Sequence, residues 1–137
     1  MSRLKLDQET LGLSSLMEKR THARIKDCFQ DHETIYFVVA RGDMGKALGK
    51  GAENIKKIQQ ELGKRVRLIE FNDNVTGFVK NVIFPIKVEE IVENEGVVFI
   101  KDSKKKTKSL LIGRDGRNLL LIQRAVKRFF NVEIKIE

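Results

Sequence analysis

Two short segments of the chain combine residue types that suit the binding of phosphate groups. Residues 48–55 read LGKGAENI and residues 112–119 read IGRDGRNL, and a helical pattern of apolar residues follows each of them. Glycine lets the backbone approach a ligand where a Cβ would obstruct it. The N–H groups at a helix start attract anions. Four basic residues stand around these two predicted helix starts: Lys46, Lys50, Arg114 and Arg117.

The spacing of the glycines and the predicted order of elements argue against two common nucleotide-binding loops. A Walker A loop requires a Gly, four further residues, and then Gly, Lys and Ser or Thr. Here Met44 stands where the first Gly should be, and Lys50 is followed by Gly51. In the second segment, Gly113 is followed directly by Arg114. A Rossmann loop joins parallel strands through a helix, whereas hairpins are predicted here. The phosphates of a polymer are therefore the favoured ligand, and nucleotide hydrolysis is not supported.

The elements that must position the two loops follow the same order in both halves of the chain. Apolar residues spaced by three and four predict helices, and alternating ones predict strands. In the first half we expect a helix over 7–20, strands over 24–30 and 34–39, a helical turn over 43–48, a helix after the loop, and a strand over 66–71. In the second half we expect the same elements over 74–84, 86–92, 97–101, 107–111, the segment after the loop, and 132–137. Asp7 and Asn74 are the predicted N-caps of the two leading helices.

This order predicts an α+β fold made of two modules, each a three-stranded sheet packed with helices. We place the first module over 1–72 and the second over 73–137. The single cysteine excludes an intramolecular disulfide, and the longest apolar runs are too short to span a bilayer. Charged residues interrupt the apolar positions of residues 1–20, unlike in a signal peptide, so we expect a cytoplasmic protein without a membrane partner.

The positive charge of the chain is concentrated around the two loops. The formal net charge is +8, which already favours a polyanionic partner. Residues 41–67 hold eight Lys or Arg and three acidic residues, and residues 101–128 hold ten Lys or Arg and two acidic residues. The remainder of the chain is net acidic. Two solvated helical faces would give the same pattern, but two electrostatic footprints for nucleic acid agree better with the loops.

The segment IGRDGRNL resembles the signature of the KH domain, whose GXXG loop clamps about four nucleotides of single-stranded nucleic acid. The helix-first order resembles the type II arrangement of that family. Two tandem copies would fill nearly the whole chain, and the stretch RGDMGKALGKG over 41–51 resembles the small archaeal NusA-like transcription factors. This resemblance implies a non-enzymatic RNA-binding factor of transcription termination or antitermination. Single-stranded RNA is the implied partner and RNA polymerase a second candidate, with no cofactor, metal or small-molecule substrate.

The predicted RNA-binding residues lie in and beside the two loops. They are Lys46, Leu48, Gly49, Lys50, Gly51, Ala52 and Ile55 in the first half, and Lys108, Ile112, Gly113, Arg114, Asp115, Gly116, Arg117 and Leu119 in the second. The first loop departs from the family signature because Ala52 replaces its second Gly. Alanine has the smallest Cβ, so a conformation with negative φ would survive there, but that Cβ hinders the closest backbone approach. The second loop is therefore expected to hold RNA more fully than the first, although one extended groove would use both.

Other functions remain open on the sequence alone. A ribosome-associated or RNA-processing KH protein would show the same loops and charge. A protein-interaction adaptor would use the loops only as helix starts and would bind an acidic partner. His22, Cys28 and His32 lie close in sequence, but their spacing does not suit a metal site. No arrangement of residues that would support catalysis is visible.

Overall fold

A computed structural model describes residues 8–137, and the chain divides into two compact units. One unit ends at Phe71, and the other runs from Asn72 to Glu137. Each unit contains helices and one three-stranded sheet. The expected α+β class and the expected three-stranded sheets are therefore confirmed.

Over residues 8–71, the first unit contains three helices, three strands and one turn of 3₁₀ helix. They are α1 (Gln8–Thr21), β1 (Ile25–Gln30), β2 (Thr34–Val39), α2 (Met44–Leu48), the 3₁₀ turn Lys50–Ala52, α3 (Glu53–Leu62) and β3 (Arg65–Glu70). Strand β2 lies at the centre of the sheet, antiparallel to β1 and parallel to β3. A parallel pair needs a crossover connection, and α2 and α3 supply it. The loop between these two helices therefore lies on the crossover.

The core of the first unit joins the sheet to its helices. Strand β2 contributes alternate residues to this core, in keeping with the two-residue period of a strand, and β1 contributes Cys28. Met17 of α1, Ala47 of α2 and Ile58 of α3 are each at most 1% exposed and belong to the same cluster. The remaining buried members of this cluster are Ala23, Cys28, Ile35, Phe37, Val39 and Val66. Both helices that flank the first loop are thus anchored by a fully buried side chain.

The second unit repeats this order of elements. They are α4 (Val75–Ile83), β4 (Glu90–Asn94), β5 (Val97–Lys101), α5 (Lys105–Ile112), the 3₁₀ turn Arg114–Gly116, α6 (Arg117–Lys127) and β6 (Glu133–Ile136). Strand β5 is central, antiparallel to β4 and parallel to β6. The second loop therefore joins α5 to α6 as the first joins α2 to α3.

Local sequence signals at the ends of helices and strands are reproduced where the structure describes them. The Asn74 side chain accepts hydrogen bonds from the backbone N–H groups of Thr76 and Gly77, which confirms it as the N-cap of α4. In β6, Ile134 is buried between two exposed residues, as the alternating pattern predicted. The predicted cap Asp7 lies outside the described residues.

The predicted position of β4 was wrong by several residues. The sequence indicated a strand over 86–92, whereas β4 spans Glu90–Asn94. Glu90 pairs with Lys101, the last residue of β5, so the preceding residues have no ladder partner on that strand. At the other end, Asn94 still pairs with Val97 across a two-residue turn. The pairing partner, and not the apolar pattern, therefore decides where this strand begins.

Among residues 8–137, no helix is both long enough and apolar enough to cross a membrane.

Candidate nucleic-acid interface

The two glycine loops have nearly the same backbone conformation. Gly49 has φ 73° and ψ 175°, and Gly113 has φ 75° and ψ 174°. Two positions further on, Gly51 has φ 64° and ψ 25°, and Asp115 has φ 57° and ψ 25°. The next residue of each loop also has a positive φ, and the first residues of α3 and α6 both return to φ −61° and ψ −40°. One loop structure therefore occurs twice in the chain.

The first residue of each loop must be glycine for two independent reasons. A positive φ combined with ψ near 175° is a region of backbone conformation that essentially only glycine occupies. A Cβ added at Gly49 would also lie 2.7 Å from the Asn54 side chain, and one added at Gly113 would lie 2.9 Å from the Asn118 backbone nitrogen. The chain therefore passes very close to the start of the next helix at both loops.

Ala52 has a left-handed backbone conformation. Its φ is +61° and its ψ is 27°, close to the φ of 73° and ψ of 13° at Gly116. The negative φ that the sequence left open is therefore not adopted. A left-handed conformation costs a residue with a Cβ roughly 1–2 kcal/mol, because the Cβ approaches the following carbonyl oxygen. The first loop thus keeps the backbone of the second loop at the expense of strain at Ala52.

An asparagine two residues after each loop holds the loop against the preceding helix. The Asn54 side-chain amide donates to the Lys46 carbonyl at 3.1 Å. The Asn118 amide donates to the carbonyls of Leu110 and Leu111, at 3.3 and 3.0 Å. These carbonyls lie in the last turn of a helix, where intrahelical donors are absent. Neither asparagine was among the predicted site residues, although their shared position in LGKGAENI and IGRDGRNL is a sequence signal.

The basic side chains beside the loops are available to a ligand. Lys46, Lys50, Arg114 and Arg117 are exposed, and within residues 8–137 none of them forms an ion pair with an acidic side chain. Lys57, one turn into α3, instead pairs with Glu53 at 3.0 Å. Lys108 is half-buried, and the preceding lysines at 104–106 are exposed. Unpaired cations beside a helix start are suited to phosphate oxygens.

The four aliphatic residues among the predicted RNA-binding residues differ in their exposure. Leu48 and Ile112, each directly before the first glycine of its loop, are 38% and 40% exposed. Ile55 and Leu119, in the first turn after each loop, are half-buried, and Ile55 packs against the core of the first unit. A ligand at either loop can thus touch Leu48 or Ile112 directly, while Ile55 and Leu119 mainly support the helix start.

A buried aspartate secures the start of the first strand in each unit. Asp43, just before α2, accepts hydrogen bonds from the backbone N–H and the Nε of Arg24 at 2.9 and 3.1 Å. The backbone hydrogen bond from Arg24 contributes most, and the side-chain hydrogen bond from Arg24 next, to holding the pKa of Asp43 below its ordinary value. Asp102 accepts from the backbone N–H groups of Glu89 and Lys104. Local sequence patterns do not reveal this role of either aspartate, because Arg24 lies 19 residues from Asp43 and Glu89 lies 13 residues from Asp102.

Comparison with known proteins agrees with this architecture. Residues 14–96 match the KH domain family. A protein of Methanococcus vannielii named probable transcription termination protein NusA is 38% identical over 121 residues, covering 85% of this chain and 69% of that protein. The protein of the same name from Halobacterium salinarum is 30% identical, covering 95% of each chain. The crystal structure of APE1850 superposes with a TM-score of 0.77 at 27% identity, covering 96% of this chain and all of that one.

The chain therefore belongs to the KH domain family, together with archaeal proteins named for transcription termination. This confirms the resemblance to KH domains and to NusA-like factors. The matched residues contain the first loop and end before the second. The site residues predicted from the sequence are brought together in two groups, one beside each loop, and their contact with RNA stays a prediction.

Proposed function

We propose that this protein is an RNA-binding factor of transcription termination whose two glycine loops each hold the phosphates of single-stranded RNA. The repeated loop carries the proposal: two segments of different sequence adopt the same unusual backbone, and each leads into a helix start surrounded by unpaired cations. A helix start with converging N–H groups and basic side chains binds phosphate through dipole, hydrogen bonds and charge together. The proposal includes no catalytic step and no cofactor.

We further propose that each unit is a type II KH domain, with the boundary near Asn72. The family match supports this for the first unit. For the second unit the support is the repeated element order, the repeated strand pairing and the repeated loop. Two linked sites would raise the affinity for one RNA strand, because binding at one loop increases the effective concentration at the other.

Charge reversal at an exposed basic residue of each loop tests RNA binding without disturbing the fold. We would titrate the full chain against a labelled single-stranded RNA, the matching single-stranded DNA and the matching duplex RNA. Lys50→Glu and Arg114→Glu should each weaken binding to single-stranded RNA about tenfold at low salt and reduce its salt dependence. Gly113 is unsuitable for this purpose, since a Cβ there would meet the Asn118 backbone.

Lys87→Glu is the matched control. It makes the same change in net charge at an exposed residue outside both loops, so it should alter binding much less. Equal losses from Lys50→Glu, Arg114→Glu and Lys87→Glu would mean that only net charge matters and would refute the proposed clamps. Binding of an acidic protein without binding of RNA would favour an adaptor.

The names of the relatives extend the proposal from RNA binding to transcription termination, with RNA polymerase as a proposed partner. The test is transcription in vitro by an archaeal RNA polymerase on a template with a terminator. The protein should change the fraction of terminated transcripts, and Lys50→Glu with Arg114→Glu should abolish that change. Association with ribosomes and no effect on termination would favour the alternative role in translation or RNA processing.

A further inference from the structure

The two loops have the same backbone conformation, but at one position the first loop has a glycine and the second has an acidic side chain. Gly51 in the first loop and Asp115 in the second have ψ 25° and φ values only 7° apart, 64° and 57°. Asp115 is exposed, and no side chain among residues 8–137 forms an ion pair or hydrogen bond with its carboxylate. The second loop therefore carries an acidic side chain at a position that lies, in the sequence, between its two proposed phosphate contacts, Arg114 and Arg117.

This carboxylate is not required by the fold. Asparagine and aspartate both tolerate the left-handed region, so the backbone of the loop does not depend on the charge. The first loop adopts the same conformation with glycine at this position. A Cβ at Gly51 would meet no atom within 4 Å, so an aspartate there would add only the left-handed strain that Asp115 already has in the second loop.

We propose that Asp115 weakens the hold of the second loop on RNA phosphates, so that this loop binds less tightly than its own arginines would allow. The inference rests on the proposed function. A carboxylate within about 6 Å of a phosphate repels it through solvent, and the repulsion decreases as salt rises. Asp115 thereby balances a loop with two arginines, and it favours a site that releases RNA readily over one that retains it.

Asp115→Asn tests this inference, since it removes the charge and keeps the size and the left-handed conformation. In a titration of the full chain with a labelled single-stranded RNA, Asp115→Asn should bind about threefold to tenfold more tightly than wild type at about 50 mM salt. The gain should shrink at about 200 mM salt because the charges are then better screened.

Gly51→Asp is the reciprocal variant in the first loop. It should weaken RNA binding by a similar factor, and the double variant Gly51→Asp with Asp115→Asn should bind about as tightly as wild type. Unchanged or weaker binding by Asp115→Asn would overturn the inference, because it would place the carboxylate away from the phosphates or in a favourable contact with RNA. Failure of the proposed function is distinguishable, since wild type itself would then show no preference for single-stranded RNA.

Discussion

Replacement of Gly113 by alanine should destabilise the second unit far more than the same replacement three residues later. At Gly113, φ is 75° and ψ is 174°, a combination that strains any residue with a Cβ by about 1–3 kcal/mol. The added Cβ would also lie 2.8 Å from the Cβ and 2.9 Å from the backbone nitrogen of Asn118. Because a backbone atom cannot rotate away, α6 must shift, and overpacking of this kind costs about 1–3 kcal/mol. We expect Gly113→Ala to reduce the free energy of unfolding by about 3 kcal/mol or more.

Gly116→Ala is the internal control. Gly116 also has a positive φ, but a Cβ there meets no atom within 4 Å. Ala52 already occupies the equivalent position of the first loop with φ 61°. Only the left-handed strain remains, so Gly116→Ala should cost roughly 1–2 kcal/mol. The predicted difference between the two variants is therefore about 2 kcal/mol.

Hydrogen exchange measures this difference in the second unit, where Trp and Tyr fluorescence does not. The chain has no Trp, and its single Tyr36 lies in the first unit, so fluorescence would not report on the second. The amides of Val98 and Ile100, whose side chains are fully buried, belong to the central strand of the second sheet. Their exchange should be roughly thirtyfold faster in Gly113→Ala than in Gly116→Ala, as expected for about 2 kcal/mol. Equal exchange rates in the two variants would refute the argument from close approach.

Three further outcomes are expected. Ala52→Gly should stabilise the first unit by up to about 1 kcal/mol, because relief of left-handed strain exceeds the added chain entropy, and urea unfolding of wild type and variant would measure it. Asn118→Ala should destabilise the second unit by about 1–3 kcal/mol, more than Asn54→Ala destabilises the first, because Asn118 makes two hydrogen bonds to helix carbonyls and Asn54 makes one. Equal losses of protection against hydrogen exchange in the two variants would contradict this. The pKa of Asp43 lies below its ordinary 3.8, so the stabilisation it provides is complete above about pH 5 and disappears as the pH falls through the lowered pKa. Urea midpoints measured from pH 6 to 2 should therefore decrease less on acidification in Asp43→Asn than in wild type.

The sequence predicted those features that are determined by residues close together in the chain. The glycines that open each loop, the Asn74 cap and the alternation in β6 depend on local conformation, and the structure contains all three. The position of β4 depends instead on β5, because a strand extends only where a partner supplies hydrogen bonds. The contacts of Asn118 across the loop also depend on where α5 ends. Local patterns predict such non-local contacts poorly.

For Ala52, the equivalent residue of the other loop predicts the sign of φ better than the residue type does. An alanine with no other information is expected at negative φ, because its Cβ disfavours the left-handed region. Its counterpart Gly116 has a positive φ in a loop of the same construction. In both loops the backbone N–H of this residue donates to the carbonyl of the first glycine at 3.2 Å. The loop closure and the following helix therefore fix the backbone at this position, and the residue type only sets the strain.

In each loop, the residues that determine the backbone shape are therefore different from the residues that face a ligand. Its shape depends on the first glycine, on closure by the 3.2 Å backbone hydrogen bond and on the asparagine of the following helix, all of which both units share. The two intervening positions are exposed and make no contact that this shape requires. Charge at these positions can therefore change while the backbone stays the same, as Gly51 and Asp115 demonstrate. Two copies of one loop can in this way differ in their hold on phosphate without any difference in fold.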